Sequence, residues 1–353
     1  MAFITFQPHD YFNSVIYTGS ASAQDITVGF QPDLIWFKNR SYGDNHQIVD
    51  RVRWVSDSNS AQLTPNEANA QGTKDIINSF ASTGFNLATG DRAFSSSNGD
   101  NFVCWNWKAN GAGSTNNDGA TASTVSASTA SGFSIVTHAG SGGATTIGHG
   151  LGVAPKVIIS KRTSATNSWF VQQPIIGGSW TSNNYITLNT DAGAASASSS
   201  TIINAVTSST ISFAGSDDWV NASGSNYVHY VFAQIKGFSR FGTYLGNGSA
   251  TDGPYIYTGF KPAFFLVKKT SASGEYWGMY DNKRNTGNAV DLAMMANRTD
   301  TEADMGLGVD FNSNGIKIMD GGGEFNANGA TYFYMTFAAE PLVASNGDPA
   351  TAR

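Results

Sequence analysis

Hydrophobic residues along this chain fall into short runs and short alternating stretches, which are separated by turns rich in Gly, Asn, Ser and Asp. In one stretch Val103, Trp105 and Trp107 are apolar and alternate with Cys104 and Asn106. Successive side chains of a strand point to opposite faces, so this spacing predicts a strand with one apolar face turned toward a core. We expect the other, mixed face to be an outer surface or a contact between domains.

The alternating stretch occurs three times, and a proline followed by a continuous apolar run precedes each copy. The alternating stretches are 98–107, 223–232 and 328–337, and the prolines are Pro32, Pro155 and Pro262. A continuous apolar run predicts a central strand that is covered on both faces, and proline is tolerated where a strand begins. The runs end in lysine at one register, at Lys38, Lys161 and Lys268. The same pieces in the same order three times predict three homologous domains.

Each copy consists of short strands broken by turns, and the best helix signal is confined to 61–80. The sequence therefore predicts an all-β protein of three tandem antiparallel domains, each a β-sandwich or jelly roll. The predicted domains span 1–109, 132–237 and 238–342. Between the first two, 110–131 consists mostly of Gly, Ser, Thr, Ala and Asn and predicts a flexible or extended linker, while 343–353 predicts a frayed tail. Because the second and third domains lack such a linker, we expect them to be the more rigidly coupled pair.

Composition and charge narrow the classes of function. Charged residues make up only 13% of the chain and the net charge is -6, so the basic surface of a nucleic-acid-binding protein is missing. The first residues do not resemble a signal peptide, and the apolar runs are too short for a transmembrane helix. We therefore expect synthesis in a cytoplasm, with no export signal and no membrane insertion. A single cysteine, Cys104, excludes an intramolecular disulfide.

Motifs for catalysis are absent from the sequence. The five histidines lie in no hydrolase or zinc-protease motif, and His229 is replaced by unrelated residues in the other two copies, which favours a structural role. The densest acidic residues are Asp217, Asp218 and those of 300–304, and their spacing matches no calcium loop. We expect no catalytic residue, no metal and no cofactor, although paired carboxylates keep glycoside hydrolysis open as an alternative.

Carbohydrate binding fits this composition better than catalysis. Sugars stack their C–H faces on exposed aromatic rings, while amides and hydroxyls satisfy their hydroxyl groups. Trp169 and Trp277 recur at similar places after the proline strand, so we expect both to be structural. Two other tryptophans lie in polar segments and have no counterpart in the other copies. With the neighbouring acids they form the candidate glycan site, which consists of Trp180, Trp219, Asp217 and Asp218.

Six segments carry a resemblance to a known family. They read VGFQPDLIWFKNR (28–40), GDNFVCWNWKA (99–109), GFSIVTHAGSGG (132–143), IGHGLGVAPKVIISKR (147–162), YLGNGSATDGPYIYTGFKPAFFLVKKT (244–270) and TYFYMTFAAEPL (331–342). They resemble a family of virion proteins from tailed phages of marine and freshwater bacteria, including cyanophages. The resemblance covers nearly the whole chain and implies a structural role in the virus particle, most often as a tail or tail-fibre-like protein.

The resemblance and the residues together predict a non-enzymatic virion protein, a tail-fibre or adhesion component that contacts the host surface. The expected partners are other virion proteins, further copies of the chain in a homotrimer, and a host-surface glycan. A head fibre, knob or capsid decoration is an alternative, because the chain shows neither a fibrous shaft nor a tail-anchoring domain. A polysaccharide depolymerase is the second alternative, although the short repeats of a parallel β-helix are not recognisable.

Overall fold

The computed structural model describes residues 6–56, 59–89, 97–176, 178–182, 184–197 and 202–341. The tail expected at 343–353 lies outside these residues. Within them all named strand pairs are antiparallel, and the one α-helix is a single turn, α1 (Gly323–Asn326). Two further short turns, of the 3-10 type, are Pro8–Asp10 and Trp180–Ser182. The predicted all-β, antiparallel class is therefore confirmed.

The first unit is a sandwich of a large and a small sheet. Its strands are β1 (Phe12–Thr18), β2 (Gln24–Thr27), β3 (Leu34–Asn39), β4 (Gln47–Asp50), β5 (Ser60–Leu63), β6 (Gly72–Lys74), β7 (Ile77–Ala81), β8 (Gly84–Leu87) and β9 (Asn101–Trp107). The sheet orders are β1-β9-β3-β4-β5-β6 and β2-β8-β7. The helix predicted at 61–80 is wrong, because that segment forms β5, β6 and most of β7. Pairing of the buried strand β5 with β4 outweighs the local helix signal.

The second unit repeats this plan and adds two strands. Its strands are β10 (Ser114–Asn116), β11 (Ser123–Ser128), β12 (Phe133–Ala139), β13 (Thr145–Gly148), β14 (Val157–Arg162), β15 (Phe170–Gln172), β16 (Asn184–Thr187), β17 (Ala195–Ser196), β18 (Ile203–Val206), β19 (Thr210–Phe213) and β20 (Asn226–Phe232). The orders are β10-β11-β12-β20-β14-β15-β16-β17 and β13-β19-β18. The segment 110–131 thus supplies β10 and β11 rather than a flexible linker, because β11 pairs with β12 and β10 pairs with β11.

In the third unit the two sheets join. Its strands are β21 (Ser239–Leu245), β22 (Tyr255–Tyr257), β23 (Phe260–Lys269), β24 (Gly278–Asp281), β25 (Val290–Met295), β26 (Ala303–Asn312), β27 (Gly315–Ile318) and β28 (Thr331–Pro341). The long strand β26 pairs with both β25 and β27, so one eight-stranded sheet, β21-β28-β23-β24-β25-β26-β27-β22, closes almost into a barrel. The same five-strand order, β1-β9-β3-β4-β5, recurs as β12-β20-β14-β15-β16 and as β21-β28-β23-β24-β25.

Both faces of the alternating strand are buried, and their roles differ from the expectation. Trp105, with Met335 at the same register of the third unit, belongs to one core cluster that all three units share. Cys104 and Tyr334, on the other face, lie in the separate cores of the first and third units. The mixed face is therefore the interior of each sandwich, and the uniformly apolar face is the contact between units.

The shared core is the largest hydrophobic cluster of the molecule and contains residues from every unit. Phe12, Phe232, Phe264 and Phe337 meet there with ring centroids between 5.3 and 6.3 Å apart in the contacting pairs. Burial of one large apolar side chain stabilises a fold by roughly 1.5–3 kcal/mol. A cavity of about 20 Å³ in this cluster is lined by apolar residues, mostly aromatic and aliphatic, from all three units. The three units thus stabilise one another.

Each of the three units contacts the other two, so that they form a ring. We call the three interfaces the 1–2, 2–3 and 3–1 seams after the units that they join, and equivalent contacts occur at each. At each seam, the residue just before β4, β15 or β24 has a ring nitrogen that contacts a backbone carbonyl of the neighbouring unit. The pairs are Trp169 Nε1 with Thr64 O at 2.9 Å, Trp277 Nε1 with Thr187 O at 3.0 Å, and His46 Nε2 with Met295 O at 3.1 Å. The structural role expected for Trp169 and Trp277 is thereby explained, and His46 takes the same place in the first unit.

Two of the three lysines at the end of the proline strand also donate hydrogen bonds across a seam. Lys161 Nζ donates to the carbonyl of Ala68 in the first unit at 3.0 Å, and Lys268 Nζ donates to the carbonyl of Asp191 in the second unit at 3.1 Å. Lys38 donates within its own unit, to Asn39 O. Burial lowers the pKa of each of the three lysines to about 8. A ring N–H to carbonyl contact recurs at all three seams, and the expectation that the second and third domains are the more rigidly coupled pair stays a prediction.

Candidate functional site

A depression of about 800 Å³ opens on the surface of the second unit. It lies between the loop that follows β19 and the ends of β14 and β16. Three of the four residues predicted from the sequence line it, namely Asp217, Asp218 and Trp219. Arg162, Asn167 and Tyr185 also line it and come from other parts of the unit.

Trp219 and Tyr185 form an aromatic wall of this depression. The half-buried indole of Trp219 stacks on Phe170 with ring centroids 5.0 Å apart and an interplanar angle of 22°. Tyr185 lies against the same indole at 4.7 Å and 53°. One side of Trp219 is therefore fixed by the core of the sandwich, and the ring keeps a defined orientation toward solvent.

The two aspartates beside Trp219 have different tasks. Asp217 Oδ1 accepts a hydrogen bond from the backbone N–H of Trp219 at 2.8 Å, which fixes the turn. Asp218 is largely exposed and pairs with Arg162, whose Nη1 lies 2.9 Å from Oδ1. An exposed ion pair of this kind contributes little stability. It does place a carboxylate and a guanidinium at the rim, where they can bind hydroxyl groups.

The loop that carries these residues is held from below by Tyr227. The Tyr227 hydroxyl accepts the N–H of Ala222 at 2.9 Å and donates to the carbonyl of Asp218 at 3.2 Å. In the third unit, Tyr332 makes the same two contacts, with Ala327 N–H and the carbonyl of Gly323. The tyrosine that supports the loop is thus shared by the second and third units, whereas the side chains that line the depression come from the second unit alone.

Asn221 ties the same loop to the turn after β12. Its Oδ1 accepts the N–H of Ser141, and its Nδ2 donates to the carbonyl of Gly143 at 2.7 Å. The turn passes so close that a Cβ on Gly140 would lie 2.1 Å from the carbonyl oxygen of Ala222. The Gly-rich segment 140–143 is therefore a close-packed turn that connects the large sheet of the second unit to the small one, rather than a hairpin within one sheet.

Replacement of Gly140 by alanine tests this close approach. We expect Gly140→Ala to lower the free energy of unfolding by about 1–3 kcal/mol, because backbone must move to admit the methyl group. Gly143→Ala is the matched control, since a Cβ there has nothing within 4 Å. Chemical denaturation measures both. Equal effects from the two variants would contradict the packing described.

Trp180 lies apart from the other three predicted residues. It begins the 3-10 turn Trp180–Ser182, and its carbonyl accepts a hydrogen bond from Gln172 Nε2 at 3.3 Å. Its half-buried ring packs against the core of the second unit and does not line the depression. The structure thus separates Trp180 from the Asp217–Asp218–Trp219 group with which the sequence analysis combined it.

The acidic segment 300–304 is part of a seam. Both carboxylate oxygens of Glu302 accept from Arg40 of the first unit, at 2.9 and 2.7 Å, and Arg284 approaches at 3.3 Å. Glu302 therefore joins the third unit to the first. Across the described ranges, no three His, Cys, Asp or Glu side chains converge in a way that could hold a metal ion.

The sequence did not predict a buried hydrogen-bonded chain of one serine and two histidines. Ser160 Oγ lies 2.7 Å from His229 Nδ1, and His229 Nε2 lies 3.2 Å from His138 Nδ1. Ser160 and His229 have no exposed surface, so the pair is out of reach of a substrate. Burial lowers the pKa of His138 to about 4 and that of His229 well below its ordinary value. We interpret the chain as a neutral hydrogen-bond network of the core.

The fold and this surface define a three-unit β-sandwich protein that is closed around one shared core. The chain belongs to the DUF7483 family, a domain of unknown function, whose sequence profile matches residues 7–341 and so includes all three units. No curated protein and no solved structure matches the chain. Within the described part of the chain, every helix is too short to span a membrane.

Proposed function

We propose that this protein is a non-enzymatic structural component of a tailed-phage particle, of the tail-fibre or adhesion type, and that it binds a glycan of the host surface. The assignment to a phage particle is supported by the sequence resemblance of six segments. The binding is supported by one observation, the aromatic wall of Trp219 and Tyr185 beside the Arg162–Asp218 pair.

The depression matches the chemistry of a sugar ring. The half-buried ring of Trp219 lines the depression and offers an apolar surface for the C–H groups of a pyranose. At the rim, the Asp218 carboxylate accepts hydrogen bonds and the Arg162 guanidinium donates them. Asn167 Nδ2 donates to the carbonyl of Asp218 at 2.8 Å and its Oδ1 accepts the Ser168 N–H at 2.8 Å, so its amide is fixed beside the rim. The rigid support from Tyr227 reduces the entropy lost on binding.

A head fibre, knob or capsid decoration is the second candidate for the place in the particle. The observation in its favour is the ring of three units around one core, which makes the described chain compact rather than shaft-like. Immunogold labelling of virions distinguishes the candidates, because gold at the tail tip supports adhesion and gold over the head supports decoration. Assembly into homotrimers remains a prediction, to be tested by light scattering against the chain mass of 37.3 kDa.

Polysaccharide cleavage is a weaker candidate than binding. Asp217 holds the turn at Trp219, and Asp218 is paired with Arg162, so neither carboxylate stands alone as a general acid. Incubation with host envelope polysaccharide and a reducing-end assay tests the alternative. Release above that of heat-denatured protein would favour a depolymerase.

The Trp219→Ala variant tests the proposed site. We expect its affinity for the bound polysaccharide on an array of bacterial surface glycans to fall about tenfold or more, because a stacking surface is worth roughly 1.4 kcal/mol or more. Trp180→Ala is the matched control and should retain binding, since Trp180 lies outside the depression. Equal affinities of Trp219→Ala and the unmodified protein would refute the site.

A further inference from the structure

The three seams can be compared at one equivalent position, just after the buried lysine of each proline strand. A backbone hydrogen bond crosses every seam there. The bonds run from Gln71 N to Thr163 O at 2.9 Å, from Ala194 N to Thr270 O at 2.8 Å, and from Glu302 N to Arg40 O at 3.4 Å. Because the backbone is shared, differences between the seams come from the side chains.

Charged side chains fill this position at the 3–1 seam. Arg40 and Arg284 both bind the carboxylate of Glu302, which has only 13% of its side chain exposed. Arg284 in turn pairs with Asp281 at 2.6 Å. This seam is closed by a network of two guanidinium groups and two carboxylates.

The 1–2 seam has the same framework, but the residues that take the places of Arg40 and Glu302 are neutral. Thr163 stands where the other seam has Arg40, and Gln71 stands where it has Glu302. Arg53 corresponds to Arg284 and pairs with Asp50, with Nε 2.6 Å from Oδ2. Arg53 Nη1 donates to Gln71 Oε1 at 2.9 Å. An open cleft of about 530 Å³ remains at this seam.

The opposite wall of the cleft comes from the added strands of the second unit. Thr115 of β10 and Ser123 and Thr124 of β11 line it, together with Thr137 of β12. Strands β10 and β11 have no counterpart in the sheets of the first and third units. Arg53 is the one fully ionised side chain among the lining residues, and Asp50 neutralises it. The cleft therefore offers hydroxyls and amides without net charge.

The cleft adjoins the depression described above. Arg162 lines the depression and the next residue, Thr163, lines the cleft. Arg162 pairs in register with Tyr227, which lines the cleft while its hydroxyl supports the Asp218 loop. The two hollows are thus separated only by the end of the β14–β20 strand pair.

We infer that the cleft at the 1–2 seam is a second subsite for the glycan proposed to bind at Trp219, and that the ligand is a neutral oligosaccharide chain rather than a single terminal sugar. This inference rests on the proposed function. One sugar unit stacks on Trp219, and the following units cross the Arg162–Tyr227 ridge into the hydroxyl-lined cleft. Linked subsites raise the affinity for a chain above that for one unit.

The double variant Gln71→Glu with Thr163→Arg tests the subsite. The two substitutions introduce at the 1–2 seam the residue types that Glu302 and Arg40 provide at the 3–1 seam. Arg53 then corresponds to Arg284, and the cleft is filled by a charge network that the protein already forms at the 3–1 seam. The probes are labelled fragments of the polysaccharide that the protein binds on the glycan array. They range in length from one sugar unit to several. We expect the affinity for long fragments to fall about tenfold or more, to that for the single unit, with single-unit affinity unchanged.

Ala122→Arg is a second variant, because Ala122 is an exposed lining residue and the substitution narrows the cleft without changing the seam. Circular dichroism and thermal melting establish that each variant is folded. Unchanged affinity of both cleft variants for long fragments, with Trp219→Ala still impaired, would overturn the subsite and leave the proposed function intact. Absence of binding to every polysaccharide, or binding that is insensitive to Trp219→Ala, would overturn the proposed function instead.

Discussion

Acidification from about pH 7 to about pH 4 should lower the free energy of unfolding by about 3 kcal/mol through His138 alone. Burial lowers the pKa of His138 from an ordinary 6.5 to about 4 in the folded protein. The folded state therefore favours the neutral ring. The stability that it contributes is fully present above pH 6.5 and is lost as the pH falls toward about 4, because the unfolded chain binds the proton first.

Two further buried histidines act in the same direction. Burial lowers the pKa of His229 well below its ordinary value, and the neighbouring His138 lowers it further. His46 has a strongly lowered pKa because of burial and the nearby Lys38 charge. Its Nδ1 accepts from Trp36 Nε1 at 2.9 Å while its Nε2 faces the Met295 carbonyl, so a second ring proton has no acceptor. Protonation of His46 opposes closure of the 3–1 seam.

The His138→Tyr variant separates this effect from the titration of carboxylates. The first and third units carry tyrosine at the same place, where Tyr17 stacks on Phe102 and Tyr244 stacks on Tyr332. The variant should therefore fold, and its stability should fall less steeply with acid. His9→Tyr is the control, because His9 is exposed. Denaturation curves at a series of pH values give the result, and identical slopes for His138→Tyr and the unmodified protein would contradict it.

The Trp105→Ala variant should lose about 3–5 kcal/mol of stability, which is the range for truncation of a buried tryptophan. Trp105 is fully buried in the shared core. Its Nε1 donates to Asp281 Oδ2 of the third unit at 3.0 Å, and the Arg284 guanidinium lies 5.7 Å from its ring. The truncation opens a void between two units and removes a donor from a buried carboxylate. We expect the units to lose stability together.

Calorimetry of Trp105→Ala checks both the size of the loss and its cooperativity. Trp105→Phe keeps most of the ring and should lose less, about 1–3 kcal/mol, for the lost donor and reduced volume. Cys104→Ser, on the opposite face of β9, should also lose less, because the volume is kept and Asn106 Nδ2 already lies 3.4 Å from the sulfur. A separate transition for the first unit alone, or equal losses in all three variants, would contradict a core shared by the units.

The sequence by itself determined the class of fold and the repeat. Alternation at Val103, Trp105 and Trp107 predicts a strand, and its recurrence predicts three copies, because both signals are local. The sequence also marked Trp169 and Trp277 as structural from their position alone. The helix at 61–80 and the linker at 110–131 were wrong, since the pairing of a weak strand depends on a neighbour that local sequence does not reveal.

Only the tertiary structure decided what each face of a strand meets. Trp105 and Cys104 lie on two faces that are both buried, and composition alone does not distinguish a core inside a unit from a core between units. The same limit applies to the site. Asp217, Asp218 and Trp219 are adjacent in sequence and were found together, whereas Tyr185 joins them by folding and Trp180 does not, because distant strands come together through packing over the whole chain.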